Sequence, residues 1–147
     1  WIRPRLVGIF DWEEPFRHSA VHSHGGDLAD RPRVVLSMST TPTRIGKMEP
    51  VVDSLLDQTL LADAFYVNVP EVMRRTGEPY IIPEWLHTKT GVTVNRGPDY
   101  GPGTHLLSAL DLEDDPETLI VVVDDDHEYH SRLCESLVRA ALGHPGE

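Results

Sequence analysis

With 147 residues, 39% hydrophobic and 25% charged, the chain is long enough for one domain with a buried core, and its single cysteine, Cys134, excludes an internal disulfide or a cysteine-based zinc site. The formal net charge of −11 sets 24 acids against 13 Lys and Arg, and nine acids lie between Leu106 and Ser131 without one Lys or Arg, which argues against a nucleic-acid partner. No apolar run approaches the roughly 20 residues that a membrane-spanning helix needs, so no membrane segment is expected within the chain.

In chain order, residues 1–32 carry no clear period and are read as a loosely structured lead-in. His18, His22 and His24 fall there at spacings of four and two without an organising turn, which favours a polar stretch over a metal site. The chain opens on Trp1 rather than methionine, so a processed or trimmed chain or a fragment of a longer protein is expected. From Arg33 the pattern sharpens. "RVVLSMST" predicts a first strand with a continuous apolar run of the parallel-sheet kind, ended by the Pro42-punctuated turn Thr40 to Arg44. Val51, Val52, Leu55 and Leu56 then give the stripe of a helix lying on a sheet.

"AFYVNVP" predicts a second strand closed by Pro70, "PEWL" a short helix starting at Pro83, and "GVTVNR" a brief third strand. The Gly- and Pro-rich "GPDYGPG" precedes a helix from about Thr104, with Leu106, Leu107 and Leu110 as its expected apolar face. "TLIVVVD" is apolar on both faces and therefore central, and "SRLCESLVRAAL" predicts a final amphipathic helix through Leu133, Leu137, Val138 and Ala141. The order predicts an α/β, Rossmann-like fold with a mainly parallel sheet flanked by helices, over residues 33–147.

The central strand runs into Asp124-Asp125-Asp126, three like charges whose repulsion calls for a cation. Ligands of open α/β sheets bind outside the carboxyl ends of the strands, where the Thr40 to Arg44 and Arg96 to Thr104 loops are also expected. Alternation sends Asp124 and Asp126 one way and Asp125 the other, so two carboxylates can share a hard cation, Mg²⁺ or Mn²⁺, with open positions left for a diphosphate.

"LSMSTTPTRI", "DYGPGTHLLSAL" and "TLIVVVDDDHEYH", in that order, resemble the GT-A glycosyltransferases, in particular the family-2-like group with a Thr-Pro-x-Arg turn, a Gly-Pro-Ala-Thr-Lys motif and a D-x-D motif. The likeness covers about residues 33 to 142. It implies a GT-A nucleotide-sugar-binding half that uses Thr41, Pro42, Arg44 and Asp99 toward base and ribose, and Gly101, Thr104 and His105 from the glycine-rich motif. Asp124 and Asp125 would join the nucleotide-sugar site, with Asp124 and Asp126 on Mn²⁺ or Mg²⁺. The donor would be a UDP- or GDP-sugar, and the acceptor half with the catalytic base would lie beyond Glu147.

Two departures stand in the second motif, Gly103 for alanine and His105 for lysine, the latter exchanging a fixed positive charge for a group mostly neutral at pH 7. They keep alive an alternative, a non-catalytic nucleotide- or metal-binding module or inactive fragment of such an enzyme. A receiver-like module or a haloacid-dehalogenase-type phosphatase would carry its acids at the end of the first strand, where this chain has Ser-Thr-Thr.

Overall fold

A computed structural model of the chain describes residues 5–7 and 28–143. Five strands form one sheet: β1 (Arg5–Val7), β2 (Val34–Ser39), β3 (Ala64–Asn68), β4 (Thr93–Asn95) and β5 (Leu119–Val123). The helices are α1 (Glu49–Leu56), α2 (Glu84–Thr88), α3 (Thr104–Leu112) and α4 (Leu133–Gly143). The sheet order is β1-β5-β2-β3-β4 and every pairing is parallel, so the α/β, Rossmann-like expectation holds. β5 lies inside the sheet, between β1 and β2, as its two-sided apolar run requires. The strand Arg5–Val7 falls in the predicted lead-in, and the three lead-in histidines lie outside the described residues.

Strand alternation sorts the core. Val34, Leu36 and Met38 of β2, Phe65 and Val67 of β3, and Leu119, Val121 and Val123 of β5 face one side. There they pack with Val52 and Leu55 of α1, Leu86 of α2, and Leu133, Cys134 and Val138 of α4. Full burial of each such aliphatic side chain is worth about 1.5–3 kcal/mol. The opposite side presents Val35, Ser37 and Ile120, and takes α3.

α3 departs from its predicted face. Thr104, Ser108 and Ala109 are buried against the sheet, whereas Leu107 and Leu112 are exposed and Leu106 and Leu110 only partly covered. The cause is close approach: the Ser37 hydroxyl donates to the main-chain carbonyl of His105, which requires the helix backbone to sit near the strand and leaves room only for small side chains.

The connections place the site. From β2 the chain steps to β3 and β4 on one side, then returns through α3 to β5 on the other. The strand order therefore reverses between β2 and β5, and the crevice beyond their carboxyl ends is the switch point at which such sheets bind ligands.

Candidate functional site

β2 and β5 run in register to Met38 opposite Val123, and two positions further on the same offset brings Thr40 opposite Asp125. The register is carried on by a side-chain bond: the Thr40 hydroxyl donates to Asp125 Oδ2 at 2.6 Å. Asp125 is 5% exposed, while Asp124 and Asp126 on either side are exposed. The alternation expected for the three aspartates is therefore present, with the middle carboxylate turned inward and the outer two toward solvent.

Arg44 reaches back from the turn after β2. That turn is closed by main-chain bonds from the N–H groups of Arg44 and Ile45 to the carbonyl of Thr41, both 3.0 Å, and is anchored by Ile45, which is buried. The guanidinium then lies 3.3 Å from Asp125 Oδ1 and 3.3 Å from Asp126 Oδ2. The other oxygen of Asp126 is 3.0 Å from His127 Nδ1. The His127 ring is the main cause that holds the Asp126 carboxyl below the usual carboxylate range; burial opposes it more strongly than the Arg44 charge assists it, and the net shift is still downward. Among the described residues the Asp124 carboxylate has no hydrogen-bond or ion-pair partner; its main-chain N–H donates to the Tyr129 hydroxyl at 2.8 Å. Burial, with the three aspartate charges, pushes that hydroxyl up to about 12, despite the opposing bond from Asp124. Tyr129 therefore stays neutral and serves as a fixed acceptor.

Asp99, Gly101 and Thr104 form a second unit. Asp99 accepts from the N–H of Gly101 at 2.7 Å and of Arg74 at 2.6 Å, and the Thr104 hydroxyl lies 3.2 Å from it. Burial works against the Asp99 charge, and these donors outweigh it to hold the carboxyl below its ordinary value. Gly101 has φ +65°, a left-handed conformation that suits glycine. The unit shapes the approach to α3. It does not touch the aspartate triplet directly.

His105 links the two. Its ring Nδ1 is 3.5 Å from the Ser39 hydroxyl, its backbone rests on Ser37, and it feels the charge of Asp124. Burial lowers its affinity for a proton and Asp124 only partly offsets this, so the imidazole is neutral at pH 7. Of the remaining candidates, Thr41 bonds to Thr43 at 3.1 Å and Pro42 is partly exposed in the same turn.

Sequence reasoning missed a polar ladder under this site. Asn95 donates to Asn68 at 2.9 Å, and Asn68 donates to the Ser37 hydroxyl at 2.9 Å and to the Met38 carbonyl at 2.8 Å. Ser37 passes the chain on to His105. The available signal was one asparagine near the end of each of the second and third predicted strands. Tyr80 was missed too; its hydroxyl donates to the Thr40 carbonyl at 2.9 Å and braces the turn.

Among the described residues no three of His, Cys, Asp and Glu are grouped as a metal-ligand set. The donors nonetheless suit a hard divalent cation of the kind that takes one or two carboxylates and fills its other positions with water and phosphate oxygens. Asp124 is unpartnered and exposed, and Asp126 is exposed on the same edge. No family model matches the chain, and no curated protein is significantly similar to it.

Proposed function

We propose that this domain is the donor-binding part of a glycosyltransferase that transfers a sugar from a nucleoside-diphosphate sugar to an acceptor. The observation that carries the reading is the joining of the Thr-Pro-x-Arg turn to the aspartate triplet across the β2/β5 switch point, through Thr40, Arg44 and Asp125. A receiver-like or phosphatase reading has no counterpart for this arrangement, because its acids would stand at the end of β2.

In this reading Asp124 and Asp126 hold Mn²⁺ or Mg²⁺, which when bound neutralises charge on the departing diphosphate. Asp125 does not bind the cation. Buried and bonded to Thr40, it fixes the turn against the strand. The Asp99–Gly101–Thr104 unit shapes the wall on the α3 side, and the neutral His105 offers a hydrogen bond there rather than a charge.

Calorimetric titration of UDP and of GDP, each with and without Mn²⁺, tests the reading. Binding that needs Mn²⁺ and is lost in Asp126→Ala is expected. Absence of binding by either nucleotide with Mn²⁺ present would overturn it.

A further inference from the structure

Arg44 contacts both acids of the site at 3.3 Å, and its side chain is 48% exposed. Those contacts are long for charge-assisted pairs, which settle near 2.7–2.9 Å. The less exposed pairs of the chain close further, at 2.9 Å for Arg33 with Glu113 and 2.6 Å for Arg31 with Asp63, whereas the exposed Arg132 stays 3.4 Å from Glu135. Asp125 has a second partner in Thr40, so it remains satisfied if Arg44 leaves. Asp126 is exposed and, among the described residues, keeps the His127 ring and its own main-chain N–H. A guanidinium and a divalent cation cannot share the same face of one carboxylate, since like charges at that separation repel.

We infer that Arg44 is a displaceable counterion: it occupies the Asp126 carboxylate while no divalent cation is bound, and is released toward the diphosphate when the cation–nucleotide pair arrives. The inference rests on the glycosyltransferase reading and adds to it an order of events. The site is electrostatically closed before the donor enters, and bare metal binds weakly because it must compete with an internal cation. The diphosphate compensates by giving Arg44 a new anionic partner. Metal and nucleotide are thereby coupled through one side chain.

The test is a pair of titrations on the whole chain and on Arg44→Gln, with Arg44→Lys as the conservative variant and thermal melting to confirm folding. In Arg44→Gln, Mn²⁺ alone is expected to bind about 3- to 10-fold more tightly, the gain from removing an exposed competing charge. UDP in saturating Mn²⁺ is expected to bind at least about 5-fold more weakly, through loss of a charge-assisted contact. Arg44→Lys falls between. Opposite signs in the two titrations are the signature, because a structural role would weaken both and a spectator would change neither. Either of those results in a chain whose wild type binds Mn²⁺–UDP overturns the inference and leaves the reading standing. A wild type that binds neither Mn²⁺ nor Mn²⁺–UDP, with Arg44→Gln equally inert, removes both.

Discussion

The two ends of the sheet treat acids in opposite ways. At the amino end, Glu113 is 7% exposed and fully engaged: Arg33 bonds it at 2.9 and 3.1 Å, the Tyr66 hydroxyl donates at 2.7 Å, and Thr118 lies at 3.5 Å. Asp63 beside it takes Arg31 at 2.6 Å and the N–H of Val34 at 2.8 Å. At the carboxyl end Asp125 and Asp126 share one half-exposed arginine, and the Asp124 carboxylate has no partner among the described residues. One end holds as many arginines as acids and closes the base of the sheet. The other holds an excess of negative charge, which in the proposed reading is where the divalent cation would sit.

The contrast can be broken by mutation. Glu113→Ala should cost the most, about 2–3 kcal/mol in urea unfolding, because Tyr66 and Thr118 lose their acceptor while Arg33, partly open to solvent, regains water. Asp124→Ala should change stability by less than about 0.5 kcal/mol. Equal losses at the two positions would erase the distinction between the ends.

Asn68→Leu sharpens it from the middle of the sheet. Filling the volume but stranding Asn95 and the Met38 carbonyl should cost about 1–3 kcal/mol. The same change should weaken nucleotide binding, because the first turn of α3 rests on Ser37. A variant that loses stability but keeps full nucleotide affinity would make the ladder a core feature only.

The smallest effect is at His105. Its proton affinity is lowered in the folded chain, chiefly by burial, so the unfolded chain binds the proton more readily. The contribution is therefore complete above the ordinary histidine pKa of about 6.5 and is lost as pH falls through the lower folded value. The stability difference between wild type and His105→Gln should shrink from pH 7.5 to 5, by under about 1 kcal/mol given the half-exposed ring. A difference that grows on acidification would contradict the sign.

How much of this was legible in the sequence follows from the physics of each element. β2 and β5 announced themselves by the continuous apolar runs of strands buried on both faces, and β3 by its β-branched and aromatic content closed by Pro70. β1 did not, since three residues in an aperiodic stretch acquire their pairing only from β5. The leucines of α3 suggested the wrong face because helical periodicity does not report which side a polar sheet surface will draw in; the Ser37 bond to His105 decided it. The Asp124–Asp126 alternation was readable from strand geometry, whereas the inward bond of Asp125 to Thr40 depended on the β2/β5 register. Asp99 was named only by the resemblance, as a contact for base and ribose. Its commitment to the Gly101 and Arg74 N–H groups arises from turn geometry that no spacing reveals.

The most direct measurement is paramagnetic broadening of backbone amide signals by substoichiometric Mn²⁺ in the presence of UDP or GDP. Broadening centred on residues 40–44, 103–105 and 124–127, with the Arg33 and Glu113 signals unchanged, is the predicted result. Broadening at the Asp111 to Glu117 acids instead, or spread evenly over the acidic surface, would contradict a cation site at the β2/β5 switch point.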